Sequence, residues 1–113
     1  FPVLKEMRSR RGGNLSGGQQ QQLAIARALV SRPKVFLLDE PTEGIQPSII
    51  KDIAKTLNEL RAEMDFALLV TEQALSFAMD TADRVMIIER GRIAHEATRD
   101  SVDEAEIRSY LTI

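Results

Sequence analysis

Short apolar runs alternate with helical patterns along this 113-residue chain, and this alternation constrains its fold more than any other feature. The runs of strand length are residues 35–38, 66–70 and 85–88, and the helical patterns are residues 16–30, 47–64 and 74–82. The first run, VFLL, has the composition of a strand buried on both faces. Strands that alternate with helices predict an α/β fold with parallel strands and flanking helices.

The end of the chain has a different pattern, in which two strand-like segments follow one another closely. Residues 90–92 (RGR) lie between the apolar run at 85–88 and a second run at 93–97, which predicts an antiparallel hairpin. Ser101 and Glu104 have the spacing of a capping box, which predicts a last helix that ends near Tyr110. We expect His95, the only histidine, to be a surface residue of the hairpin.

The helix predicted at 16–30 begins with two glycines, Gly17 and Gly18, although glycine lowers helix stability. Ser16 and Gln19 have capping-box spacing, so this start can be an ordinary cap. A helix amino terminus also offers unpaired N–H groups to an anion, and glycines let phosphate oxygens approach the backbone. On this reasoning the glycines are expected to serve a ligand, while a simple capping turn remains the alternative.

Asp39 and Glu40 follow directly after the apolar run at 35–38. In open parallel sheets, ligands bind at the carboxyl ends of strands. Two neighbouring carboxylates at such a place need a metal, a cation or water, because ions lose hydration when they are buried. The sequence therefore predicts a functional acid pair, with a capping acid and a solvated acid as the alternative.

The order of these two features, LSGGQ at 15–19 and then FLLDEPT at 36–42, resembles the nucleotide-binding domains of ABC-type ATPases. The resemblance continues through VMIIERGRIAHEA to the end of the chain. The sequence around both motifs is most similar to that of the ATP-binding subunits of importers for branched-chain amino acids and urea, with the urea type closest. The implied fold is part of a P-loop NTPase domain, and residues 1–113 are expected to be its carboxyl-terminal part.

The resemblance implies a role for each motif residue. Two such domains pair head to tail, and each ATP lies between the P-loop of one domain and the LSGGQ loop of the other. The loop residues here are Leu15, Ser16, Gly17, Gly18 and Gln19. Asp39 is expected to hold Mg²⁺ through water, and Glu40 to act as the general base for the attacking water. These roles suit phosphoryl transfer, which depends on positioning and on charge stabilisation around the γ-phosphate.

The sequence departs from the family pattern at two positions. The segment LLVTEQ places Gln73 where the switch histidine is expected, and an amide can donate a hydrogen bond to the γ-phosphate but cannot carry a proton. Glutamine occurs at this position in the importer branch, so hydrolysis is still implied. Gln46 replaces the usual aspartate before Pro47, and we assign it no catalytic part.

A third departure is that the chain has no G-x-x-x-x-G-K-[ST] sequence, the loop that cradles the β- and γ-phosphates. We therefore expect the 113-residue chain alone to bind ATP weakly or not at all, and to self-associate through uncovered apolar surfaces. The intact parent is expected to hydrolyse ATP and to power transport through membrane permease subunits. Its expected location is the cytoplasmic face of the inner membrane.

Composition limits the alternatives to this interpretation. The net charge of −2 gives no reason to expect nucleic acid binding, and the chain has no cysteine. An ABC-type ATPase of chromosome maintenance or DNA repair is one alternative, but its long heptad-bearing segments are missing here. A non-catalytic dimerisation module is the second alternative, and it describes the behaviour expected of this chain by itself. Cross-linking to a permease or to DNA distinguishes the first alternative, and phosphate release distinguishes the second.

Overall fold

Parallel pairing of two apolar strands organises the first of the two units into which the chain divides, Phe1–Glu72 and Gln73–Ile113. The computed structural model describes residues 1–111. The first unit contains α1 (Pro2–Glu6), a 3-10 turn (Gly12–Asn14), α2 (Gly17–Val30), β1 (Val35–Asp39), α3 (Pro47–Met64) and β2 (Ala67–Thr71). The second unit contains α4 (Leu75–Thr81), β3 (Arg84–Glu89), β4 (Arg92–Thr98) and α5 (Glu104–Leu111).

Strands β1 and β2 form a parallel pair in which Val35 lies beside Ala67 and Asp39 lies beside Thr71. The buried Phe36 ring meets the Phe66 ring edge-on, with centroids 6.2 Å apart and an interplanar angle of 78°. The parallel α/β arrangement predicted from the sequence is confirmed. Because the strands are parallel and in this register, their carboxyl ends meet at one edge of the pair.

The prediction that β1 is buried on both faces is wrong for this chain. Side chains along β1 alternate between exposed and buried, since Phe36 and Leu38 are buried while Val35 and Leu37 are 59% and 66% exposed. On β2, Leu69 lies beside Leu37 and is 52% exposed. These exposed apolar side chains form one open face of the β1–β2 pair.

Helices α2 and α3 follow the predicted limits closely. Helix α2 ends at Val30, and Pro33 follows three residues later, where it cannot continue a helix. Helix α3 begins with Pro47, whose missing N–H costs nothing in a first turn. Ile53 and Leu57 on its inner face are fully buried, as their helical spacing predicts.

The second unit contains the antiparallel hairpin predicted from the sequence, formed by β3 and β4. Arg90 and Gly91 connect the strands with φ values of 50° and 76°, and two residues with positive φ match the twist of a tight hairpin. Its small core is formed by Leu75, Ile87 and Ile107. No helix among residues 1–111 is both long and apolar enough to cross a membrane.

The predicted capping box at Ser101 and Glu104 does not form. Ser101 Oγ instead bonds with Thr98, accepting from its N–H at 3.2 Å. Asp103 Oδ1 accepts from the backbone N–H groups of Ala105 and Glu106, at 2.9 and 3.4 Å. The helix therefore begins two residues later than that spacing suggests, because Asp103 is a better-placed acceptor for the first turn.

Candidate functional site

The start of α2 forms a compact turn that we call the glycine turn (residues 15–20). Ser16 Oγ accepts from the Gln19 N–H at 3.2 Å, and Gln19 Oε1 accepts from the Ser16 N–H at 3.0 Å. This is the reciprocal capping box that the sequence predicts. The Gly17 and Gly18 N–H groups lie in the first helical turn, where N–H groups have no intrahelical acceptor.

The two glycines of this turn have different environments. A Cβ at Gly17 meets nothing within 4 Å, whereas a Cβ at Gly18 comes 2.3 Å from Cδ1 and 3.2 Å from Cγ2 of Ile49 in α3. Close packing of α2 on α3 therefore already requires a glycine at position 18, and a role of Gly18 towards a ligand stays a prediction. Gly17 remains open for the approach of an anion.

Gln20 attaches the glycine turn to the segment before it. Its Nε2 donates to the Leu15 carbonyl at 3.2 Å and to the Gly12 carbonyl at 3.3 Å. Leu15 itself is buried, which fixes the turn from the apolar side. The turn thus has a fixed backbone and presents Ser16 and Gly17 on an exposed surface.

Asp39, predicted to bind a metal, is the last residue of β1 and is exposed. Its Oδ1 accepts a hydrogen bond from Oγ1 of Thr71, the residue beside it on β2. This bond orients the carboxylate along the open edge where the two strands end. The parallel pairing of β1 with β2 therefore places the first acid of the pair where a ligand can reach it.

Glu40, the predicted general base, has a left-handed backbone with φ of 43°. For a residue with a Cβ this conformation costs about 1–2 kcal/mol and requires support from its surroundings. The support comes from β2, since the Glu40 N–H donates to the Thr71 carbonyl at 2.9 Å. On the other side, the Glu40 carbonyl accepts from the Glu43 N–H at 3.2 Å, which closes a turn.

The residues from Asp39 to Glu43, which we call the carboxylate loop (residues 39–43), have one further attachment. Thr42 is buried, with 7% of its surface exposed, and both its N–H and its Oγ1 donate to Oε2 of Glu72, at 3.3 and 2.8 Å. Glu72 follows β2 directly and is half-buried. The loop is thus tied to the end of β2 at three points along its length: Asp39, Glu40 and Thr42.

Gln73, the predicted switch residue, is exposed and is the first residue of the second unit. His95, predicted to be a surface residue, is half-buried within that unit. Its Nδ1 lies 3.6 Å from Glu106 Oε1, and its ring stacks on Tyr110 with centroids 5.8 Å apart. Gln46 caps α3 by position only and makes no side-chain capping bond.

A magnesium ion fits the carboxylate loop only as part of a shared site. Among the described residues, no three or more acidic, histidine or cysteine side chains converge as they do in an all-protein metal site. Asp39 offers one exposed carboxylate. This agrees with the usual coordination of Mg²⁺, which takes one or two carboxylates and completes its shell with water and substrate phosphates.

Sequence reasoning missed the residues that hold both groups in place: Gln20, Ile49, Thr42, Thr71 and Glu72. Their partners lie far apart in the chain in all but the first case, so no local spacing could reveal them. The only available signals were the Thr of EPT and the Glu of TEQ, which stand beside predicted site residues. A reading based on parallel register could have placed Thr71 beside Asp39.

Comparison with known proteins gives consistent matches. The chain matches the family model described as "ABC transporter" over residues 3–43. It is 48% identical over 98 residues to the high-affinity branched-chain amino acid transport ATP-binding protein BraG of Pseudomonas aeruginosa, a match that covers 87% of this chain and 42% of BraG. The chain therefore spans less than half the length of this relative.

Two solved structures extend the comparison to the fold. The ATP-binding cassette MJ1267 of an ABC transporter superposes with a TM-score of 0.85 at 27% identity, covering 98% of this chain and 46% of that one. The cassette MJ0796, in a dimeric post-hydrolysis state bound to ADP and Pi, superposes with a TM-score of 0.69 at 31% identity, covering 77% and 37%. Both of these solved structures are ATP-binding cassettes.

Proposed function

This chain belongs to the ABC transporter family, and from that premise we propose that it forms the carboxyl-terminal part of a subunit that hydrolyses ATP to power an importer. The match to the family model carries the proposal, because residues 3–43 contain both the glycine turn and the acid pair Asp39-Glu40. Since the matched relative is more than twice as long as the matched segment, the loop that cradles the phosphates is proposed to lie outside these 113 residues.

In this proposal Glu40 is the general base. Its carboxylate aligns a water molecule and takes its proton while the water oxygen bonds to the γ-phosphorus and the bond to the ADP oxygen breaks. The supported left-handed backbone of Glu40 favours this role, because strained backbone often occurs where a side chain must be aimed. Gln73 is proposed to donate its amide N–H to the γ-phosphate.

Asp39 is proposed to hold Mg²⁺, which when bound neutralises charge on the phosphates. The hydrogen bond from Thr71 Oγ1 to Asp39 Oδ1 supports this role, because a neutral hydroxyl holds the carboxylate and does not compete with the metal as a cation would. Asp39 also lies at the carboxyl end of a parallel strand, where α/β folds bind their ligands.

The glycine turn is proposed to bind the γ-phosphate of an ATP molecule held by a second ATP-binding subunit, in a head-to-tail dimer. The first-turn N–H groups, the partial positive charge of the α2 amino terminus and the open space at Gly17 support this role. A dimeric state with ADP and Pi is described for the cassette MJ0796. Leu15 and Gln19 are proposed to act through the shape of the turn.

The transported solute is proposed to be a branched-chain amino acid, urea or a related amide. BraG carries branched-chain amino acid transport in its name, which supports the first of these. The subunit is proposed to bind permease subunits at the cytoplasmic face of the membrane. The exposed Val35, Leu37 and Leu69 support the further proposal that the 113-residue chain alone self-associates and is inactive.

The test is phosphate release by the intact ATP-binding subunit that contains this chain. Glu40→Gln keeps the size of the side chain but removes the base, so we expect kcat to fall by at least about 100-fold. Glu43→Gln is the matched control, because Glu43 is an exposed neighbour whose side chain has no role in the mechanism. ATP binding by the Glu40→Gln variant should be retained. Turnover at the wild-type rate in that variant would contradict the assignment.

A further inference from the structure

The carboxylate loop is attached to the end of β2 by a carboxylate that has no place in the mechanism described so far. Glu72 Oε2 accepts both the N–H and the Oγ1 of Thr42. Thr42 is almost completely buried, so its hydroxyl needs a partner within the protein. Hydrogen bonds to a carboxylate are among the stronger ones in proteins, and two of them converge on this oxygen.

Thr42 lies inside the turn that sets the backbone of Glu40. The Glu40 carbonyl accepts from the Glu43 N–H, so Thr42 is enclosed between the two ends of that turn. Its position therefore determines how the turn closes. The N–H of Glu40, on the other side, is held by Thr71. The turn that contains Glu40 is thus held by Thr71, which binds the Glu40 N–H, and by Glu72, which binds Thr42.

We propose that Glu72 is a positioning residue for the proposed general base: by holding Thr42, it keeps the Glu40 carboxylate aimed at the attacking water. The proposal rests on the proposed function, in which Glu40 activates water. Glu72 itself contacts neither nucleotide nor water in this role. Glu72 is also the residue next to Gln73 in the chain, and Gln73 is the proposed hydrogen-bond donor to the γ-phosphate.

The first measurement is steady-state ATP hydrolysis by the intact subunit with Glu72→Ala, Glu72→Gln and Thr42→Val. Small misplacements of a catalytic group are costly, so we expect Glu72→Ala to lower kcat about tenfold while KM for ATP is unchanged. Glu72→Gln keeps an oxygen acceptor for Thr42 and should restore most of the rate. Thr42→Val removes only the hydroxyl bond and should have a smaller effect. Glu63→Gln, at an exposed position of α3 outside the carboxylate loop, provides the control that leaves the rate unchanged.

The second measurement is hydrogen exchange of the backbone amides of Glu40, Thr42 and Glu43, which does not depend on activity. Glu72→Ala should accelerate exchange there, while Glu72→Gln should not, and exchange in α2 should be the same in both. The double variant Thr42→Val/Glu72→Ala should lose no more activity than Glu72→Ala alone, because both substitutions disrupt the same contact between Thr42 and Glu72.

These readouts separate the failure of this proposal from the failure of the proposed function. Active wild-type subunit with unchanged kcat and exchange in Glu72→Ala would overturn the positioning role. A raised KM with unchanged kcat would overturn it as well, since that result places Glu72 in nucleotide binding. Wild-type subunit that releases no phosphate would contradict the proposed function alone, and the exchange rates would then decide whether Glu72 holds the loop.

Discussion

The glycine turn and the carboxylate loop carry the two proposed halves of one chemistry, but they are held in different ways. Every bond that shapes the glycine turn is local, and the longest connects Gln20 to Gly12, eight residues away. The carboxylate loop is held by partners 30 to 32 residues away, Thr71 and Glu72. The first is a property of one helix end, and the second exists only when β1 and β2 pair.

This difference sets which half fails first when the fold is disturbed. A capping box and a side-chain bond across eight residues can form in a short segment of chain, because little loop entropy opposes them. The bonds of the carboxylate loop close much longer loops and depend on the parallel register. Loss of strand pairing should therefore release Glu40 while the start of α2 keeps its shape.

The largest expected effect comes from breaking the strand pair itself. Phe36→Ala in the 113-residue chain removes a buried ring that packs on Phe66, and we expect the free energy of unfolding to fall by about 3–5 kcal/mol. Leu37→Ala is the matched control on the next residue, whose side chain is mostly exposed, and it should change stability little. Chemical denaturation measures both.

The control has a second use in this experiment. If Leu37→Ala destabilises the chain as much as Phe36→Ala does, the open face of β1 is covered in solution. Light scattering on the same samples would then show an oligomer that dissociates in the Leu37 variant. Equal stability losses in a monomer would contradict the burial difference between the two faces.

A smaller effect is expected where Gly18 of the glycine turn packs against Ile49 of α3. Gly18→Ala forces a methyl group into the Ile49 side chain, and overpacking of this kind costs about 1–3 kcal/mol. Gly17→Ala meets no neighbour and should be neutral or stabilising. Adding Ile49→Val removes the Cδ1 atom that is too close, so Gly18→Ala/Ile49→Val should recover part of the loss in thermal unfolding. No recovery would show that the contact is not the cause.

The smallest effect should follow from removing the cap alone. Ser16→Ala deletes the acceptor for the Gln19 N–H and should cost about 0.5–2 kcal/mol, measured by chemical denaturation. Ser16→Asp retains a capping acceptor and should keep the stability of the wild type. Exchange of the carboxylate-loop amides should be the same in both variants. A change there would show that the two groups are coupled more closely than their bonds indicate.

Structural features that depend on side chains only a few residues apart could be predicted from the sequence. Helix α2, its capping box and the β3–β4 hairpin all follow from side chains a few residues apart, and the structure confirms them. A local pattern can still give a wrong prediction when two residues compete for one cap. Ser101 has the right spacing to cap α5, but it bonds to Thr98, and Asp103 caps the helix.

Distant contacts account for what could not be predicted. The pattern LSGGQ suggests a ligand for both glycines, yet the Cβ space at Gly18 is occupied by Ile49, a residue 31 positions later. In the same way, the run VFLL suggests a strand that is buried on both faces. The number of covered faces depends on which elements pack over the strand, and the sequence of the strand does not specify them. The bonds of Thr42 to Glu72 depend on the same tertiary placement.

The open apolar face of the β1–β2 pair ends at the proposed metal ligand. Val35, Leu37 and Asp39 project to the same side of β1, because side chains alternate along a strand. Any body that covers this face therefore stands at the edge of the Asp39 carboxylate, lowers the dielectric around it and strengthens its attraction for a cation. Covering of this apolar face would therefore also change the electrostatic surroundings of the proposed ion site.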